Sequence, residues 1–242
     1  MRNCCGCFVR QIAVGVLLIV SGLAAAVEGQ RPAATPTPST EAAKPPAASV
    51  PQPGAETIER AVALYSDGSA HSSPFVQIYT PAGFATARRE AGTVWIQAPQ
   101  RVRFDYTAPE KKAFTYDAGE GRFFSPEDKQ LTVRRLSEDE KARLPVVFLT
   151  QPTDLRRQYE ISVDAGTDAP ASRVLLTPRV PRPELAWLRL TVGKDGRVSE
   201  LSYQDSAGNR TEFRFDAWQR GKARPAGDFR ITGPPGTRIV EN

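Results

Sequence analysis

The chain has 242 residues, 24% of them charged and 40% hydrophobic, and carries a net charge of +5. That length accommodates one sizeable domain or two small ones. The positive residues are scattered singly beside Asp and Glu rather than gathered into a patch, which argues against a nucleic-acid surface and leaves solubility and affinity for anionic surfaces as the uses of the charge.

The N-terminus reads as an export signal. MRNCCGCFVR carries Arg2 and Arg10, Ile12 to Leu23 is apolar, and Ala24, Ala25 and Ala26 supply the small residues of a cleavage site. The apolar run falls short of the about 20 residues a spanning helix needs, so cleavage is favoured over an uncleaved anchor. Residues 1–26 are assigned to the signal. Cys4, Cys5 and Cys7 all precede the apolar run, so the cleaved chain would have no disulfide, thiolate nucleophile or Cys-based metal site. Nothing downstream completes the CCGC run as a zinc or redox motif.

Residues 27–54 (VEGQRPAATPTPSTEAAKPPAASVPQPG) are rich in Pro, Ala and Thr, with hardly a large apolar side chain. Such a stretch cannot bury enough surface to fold, and its prolines favour extended geometry. It is read as a disordered linker preceding a single domain over 55–242. With an uncleaved signal it would act as a spacer to the membrane.

The domain opens on a helix over Glu56–Tyr65, where Ile58, Ala61, Val62 and Tyr65 recur at i, i+3, i+4 and i+7. After Phe75 the period changes to two. Val102, Phe104 and Tyr106 share one face, followed by Phe114 and Tyr116; Tyr159, Ile161 and Val163; Leu188, Leu190 and Val192; Phe213 and Phe215; and Phe229 and Ile231. Turn signals separate them at Ala118–Gly121, Ser125–Asp128, Gly193–Gly196 and Ser206–Asn209. About ten short strands predict an antiparallel sheet curled into a barrel or sandwich. One insert breaks the series: SEDEKAR, Ser137 to Arg143, begins with a capping box and leads into apolar LPVVFL, predicting short helices that lie across the sheet.

Catalytic motifs are missing from this pattern. His71, the one histidine, stands in the Ser/Gly-rich stretch SDGSAHSSP and is expected to be a solvated turn residue. No Gly-x-Ser-x-Gly elbow, His-Glu-x-x-His helix or phosphate-cradling loop occurs. Gly119 and Gly121 lie in a turn, and Glu138, Asp139 and Glu140 read as a solvated face. No catalytic residue, metal ligand or cofactor is assigned. Apolar surface in excess of specific polar groups suits a binder of something apolar, while a closed β core and a carboxylate-based hydrolase stay open on the pattern alone.

From Glu56 to Val240 the sequence resembles the LolA-type periplasmic lipoprotein carrier family. The matching pieces, in order, are PFVQIY; GTVWIQAPQRVRFDYTAP; the Gly121-Arg122-Phe123-Phe124 run; PVVFLTQ followed by QYEI; LLTPR; LRLTVGKDGRVSELSYQDSAGNRTEFRF; and FRITGPPGTRIV. The resemblance implies a mainly β fold, an incomplete curved antiparallel β-barrel with helices forming a lid over an apolar cavity. It implies a monomeric, non-enzymatic chaperone of the periplasm that shields lipoprotein acyl chains and moves lipoproteins from inner to outer membrane. An inner-membrane ABC transporter and an outer-membrane receptor are its implied partners; a membrane-tethered or soluble binder of another lipid is the alternative. Carried over by position, Val94, Ile96, Val102, Phe104, Tyr106, Phe114 and Tyr116 would line the lipid-binding cavity and Phe148 would belong to the lid. Phe104→Glu is expected to leave a folded protein with reduced lipid binding. One position departs: the family commonly has an arginine before the proline of the first aromatic hairpin, latching the lid, and this chain has Ala98, with Arg101 and Arg103 the nearby candidates to replace it.

Overall fold

The computed structural model describes residues 54–137, 140–141, 144, 146–150, 155–163 and 171–241. The signal-peptide reading and almost all of the linker reading fall outside these residues. Helix α1 spans Ala55–Tyr65, as its periodicity requires, and buries Ala55, Ile58, Ala61, Val62 and Tyr65 along one stripe.

Thirteen strands follow among the described residues: β1 (Ala70–Thr80), β2 (Arg88–Gln97), β3 (Arg101–Ala108), β4 (Lys112–Asp117), β5 (Glu120–Ser125), β6 (Gln130–Arg135), β7 (Tyr159–Val163), β8 (Ala171–Pro178), β9 (Trp187–Gly193), β10 (Val198–Gln204), β11 (Arg210–Phe215), β12 (Gln219–Gly221) and β13 (Arg238–Glu241). A 3-10 turn at Val147–Thr150 and a four-residue helix, α2 (Leu155–Gln158), separate β6 from β7, and a second 3-10 turn covers Ala226–Phe229. The sheet runs β13-β6-β5-β4-β3-β2-β1-β11-β10-β9-β8-β7, with β12 added beside β1. It is a curved open sheet, not a closed barrel. Neighbours are antiparallel except β13 on β6.

Alternation decides the two faces of this sheet. The inner face carries the buried apolar residues, among them Phe75, Val94, Phe104, Phe114, Leu190, Leu201 and Phe213. Helix α1 packs against β8 and β9, and Val147–Thr150 against α1, β2 and β3. Capping-box chemistry starts the insert as expected: Ser137 N–H donates to Glu140 Oε2 at 2.8 Å, and Glu140 N–H to Ser137 Oγ at 3.3 Å.

Two expectations are corrected here. His71 is not a solvated turn residue; β1 begins at Ala70, five residues before the period-two run is obvious, and His71 is 2% exposed. Its ring stands edge-on to Tyr65 at 5.1 Å, and its Nε2 is 3.1 Å from Asp67 Oδ1. A polar Ser/Gly stretch forms strand here because β2 and β12 pair with it on either side. Phe229 and Ile231, which alternate like a strand, lie instead in and after the 3-10 turn. Both are buried, at 1% and 8% exposed.

The segment around Phe229 is a strap across the outer face of β2–β5. Gln97 grips it first, its Oε1 accepting from Arg224 N–H at 2.8 Å and its Nε2 donating to Arg224 O at 3.3 Å. Arg103 then donates to Asp228 O at 2.8 Å, and Arg122 to Ile231 O at 3.2 Å. Asp117, 7% exposed, accepts from Arg101 at 3.2 Å and from Arg230 at 3.1 Å. These side chains satisfy backbone carbonyls that a strand pairing would otherwise have to meet.

Candidate functional site: the inner face

Cross-strand register assembles the predicted residues into rows. Val94, Phe104 and Phe114 are directly opposite one another on β2, β3 and β4. Ile96, Val102 and Tyr116 form the next row, and all six are buried. Tyr106 stands in a third row, opposite Gly92, which is itself opposite Phe75. With no side chain on the glycine, the Phe75 and Tyr106 rings meet across it at 5.2 Å, edge to face. A Cβ there would lie 2.1 Å from the Asp105 carbonyl oxygen, so the site is closed to any other residue without backbone movement.

The structure therefore brings seven of the eight predicted residues together. Phe148 stands apart: it is half-buried on the Val147–Thr150 turn, and its ring is edge-on to Tyr159 of β7 at 6.1 Å. The residues that the sequence reading did not name as lining come from long-range pairing. Phe104 touches Phe75 at 5.2 Å and Phe213 at 5.7 Å between ring centroids, and Phe215 continues to Trp218 at 5.0 Å. Trp218 in turn meets Tyr65 of α1 at 4.9 Å. An i, i+2 pair such as Phe213 and Phe215 is visible in sequence, but that β11 lies beside β1 is not. Packed among three rings, Phe104 would not tolerate a carboxylate without loss of fold, so Phe104→Glu is a poorer probe of binding than the sequence reading expects.

Polar groups enter this face on β1, where buried Ser73 and His71 stand opposite Val94 and Ile96, and others stand at its two ends. At one end Tyr106 donates to Gln77 Oε1 at 2.8 Å, both groups being buried, and Lys112 Nζ lies 4.7 Å over the Tyr106 ring while pairing with Glu90. Burial, with Glu90 and Tyr203 adding, pushes the Tyr106 phenol well above its ordinary range, so it stays a donor. At the other end Tyr65 Oη accepts from Val198 N–H at 3.1 Å, and Trp218 donates to Val198 O at 2.7 Å.

The two arginines near Ala98 lie on the other side of the sheet. Arg101 and Arg103 both point to the outer face, where they hold Asp117, Asp105 and the strap. Neither reaches the inner face. The arginine that does is Arg134, opposite Gly121 in the Tyr116 row; it is 8% exposed and pairs with Glu140, the residue that closes the capping box of the insert. It was missed because an arginine on an apolar strand face reads as an outward residue.

A curved, open, mostly antiparallel sheet with an apolar concave face, flanked by a helix and a short insert, defines the class of open-barrel binding domains. The model of the outer membrane lipoprotein carrier protein LolA family matches residues 68–232, and the chain belongs to that family. The outer-membrane lipoprotein carrier protein of Xanthomonas campestris pv. campestris strain B100 is 31% identical over 167 residues, covering 69% of this chain and 79% of that protein. Its namesake from Dechloromonas aromatica strain RCB is 29% identical over 63% of this chain and 72% of that one. Among solved structures, a conserved uncharacterized protein from Thermus thermophilus has the same fold, with a TM-score of 0.52 at 12% identity, covering 79% of this chain and 100% of that chain. The family is described as a carrier, and catalysis is no part of that description.

Proposed function

We propose that the domain is a periplasmic carrier whose inner face shields the acyl chains of lipoproteins and moves them from the inner to the outer membrane. The observation that carries the reading is the apolar band of the inner face, running from Phe114 on β4 through Phe104, Phe75 and Phe213 to Leu190 and Val174, on a sheet that does not close. Each buried methylene contributes about 0.8 kcal/mol, so a 16-carbon chain gains on the order of 12 kcal/mol on leaving water. Val94, Ile96, Val102, Phe104, Tyr106, Phe114 and Tyr116 line the site, with Phe148 on the covering side. These rings are in mutual contact, so loading requires α1 and Val147–Thr150 to move away as a lid, with Arg134 and Glu140 holding the start of the insert. Handover to a transporter at one membrane and a receptor at the other then needs only differences in affinity, without covalent chemistry.

Ala98 in place of the family arginine supports a second reading, a binder of another lipid, soluble or tethered through residues 1–54. Native mass spectrometry of the full chain, exported and purified from a Gram-negative host, tests both. A cleaved species carrying acylated protein is expected; a phospholipid or other lipid adduct instead selects the second reading. An empty species that takes up no added lipid overturns both.

A further inference from the structure

Four large apolar side chains are exposed among the described residues: Phe84, Val163, Val180 and Ile239. Ile239 lies on edge strand β13 and Val163 at the end of edge strand β7. Phe84 and Val180, at 68% and 69% exposed, sit instead on loops, the first between β1 and β2, the second between β8 and β9. Strand directions put both loops at the same end of the sheet, the end opposite α1, whose Tyr65 packs on His71 and Val198.

A single exposed apolar side chain requires no explanation. These two are different, because their loops are fastened to a common turn, that between β10 and β11. Asn209 Oδ1 accepts from Ala82 N–H at 3.0 Å, Ser206 N–H donates to Pro183 O at 2.9 Å, and Asp205 holds Asn209 through two bonds. The tips are thus held in place beside each other's supports and project outward.

Their surroundings are cationic. Arg88 and Arg89 follow Phe84, Arg179 and Arg182 flank Val180, and Arg210 closes the shared turn. Half-exposed Trp187 lies beneath Arg189 at 5.1 Å and Arg210 at 5.9 Å. The acidic residues here are Glu184 and Asp205 on the loops and Glu90 and Glu212 on the flanking strands. Asp205 is engaged by Asn209, Glu90 by Lys112, and Glu212 pairs with Arg210 at 3.2 Å, which leaves the arginines in excess. Projecting apolar tips, an aromatic ring at the margin and a surplus of arginines are the components of an interfacial membrane contact: the tips leave water for the acyl boundary while the guanidinium groups stay at the phosphates.

We propose that this end of the domain docks on an anionic bilayer surface, with Phe84 and Val180 entering the interface. The tips project rather than line a groove, which suits a deformable lipid surface better than a protein partner. The inference does not depend on which lipid the inner face carries.

Flotation of the full-length protein with phosphatidylglycerol-containing vesicles, against phosphatidylcholine alone, tests it. Binding to the anionic vesicles is expected to weaken with salt, and to fall by at least about tenfold in F84S/V180S, at unchanged thermal stability. A second variant, F84W, reports the site itself when its emission is read as a difference from the parent, which carries Trp95, Trp187 and Trp218: the added indole should shift to the blue on vesicles and be quenched by brominated acyl chains. That readout separates docking by this end from attachment through residues 1–54. An unshifted, unquenched indole, or flotation equal in F84S/V180S and the parent, would overturn the proposal, as would capture by a membrane protein without binding to lipid vesicles.

Discussion

The two faces of strands β2–β5 are both sealed, by opposite means. The inner face is closed by rings and aliphatic side chains, with Phe104 touching Phe75, Tyr106 and Phe213. The outer face is closed by a strap that Gln97, Arg103, Asp117 and Arg122 hold by directed polar bonds. Apolar contact is non-directional and can be remade around a guest, whereas a hydrogen bond to a backbone carbonyl has one good geometry. A carrier needs one adaptable face and one that keeps the sheet's curvature, and the alternation of a strand supplies both from the same strands.

The largest perturbation strikes the frame shared by both faces. Gly92→Val places a side chain against the Asp105 carbonyl and is expected to remove more than about 5 kcal/mol, which circular dichroism would register as loss of the folded state. Phe104→Ala on the inner face should cost about 3–5 kcal/mol in denaturant unfolding, while Phe104→Leu should keep most of that stability. If Phe104→Leu leaves uptake of added lipid unchanged, the ring's shape is irrelevant to the guest.

Arg134→Gln is expected to release the insert, costing about 2 kcal/mol and raising hydrogen exchange at Ser137–Lys141 before the strands respond. On the outer face, Asp117→Asn loosens the strap by about 1–2 kcal/mol, because Arg101 and Arg230 are partly in water, and exchange should rise at residues 226–231 with lipid uptake unaffected. A drop in uptake from this variant would erase the distinction between the faces.

The smallest effect is acid sensitivity at Asp67. Partial burial pushes its carboxyl up, but hydrogen bonds from His71, Ser69 N–H and Arg220, with the attraction of His71, outweigh this and hold it at about 2 rather than 3.8. A depressed folded value contributes stability that is fully present above the unfolded value and is lost as pH falls from 3.8 toward 2. Asp67→Asn should therefore flatten the stability profile in that window, as thermal unfolding across that pH range would register.

Much of this was legible from residues alone. Helix α1, the turns at Gly193–Gly196 and Ser206–Asn209, and the Ser137–Glu140 capping box are local, and local chemistry writes itself into spacing. His71 and the pair Phe229 and Ile231 were misread for the same reason in reverse. A Ser/Gly run became strand because neighbours on both sides supplied hydrogen bonds, and an alternating pair became a buried strap because arginines from distant strands met its carbonyls.

What the sequence by itself determined is the inward set: alternation commits Val94, Phe104, Phe114 and their partners to one face, since strand period is two whatever the strand pairs with. Only the tertiary structure decided that β11 lies beside β1, so that Phe213 and Phe215 complete the aromatic group. It also decided that Arg134 rather than Arg101 or Arg103 reaches the inner face, and that Phe84 and Val180 project from one end. Those are matters of register between strands far apart in the chain, and no spacing within a single strand encodes them.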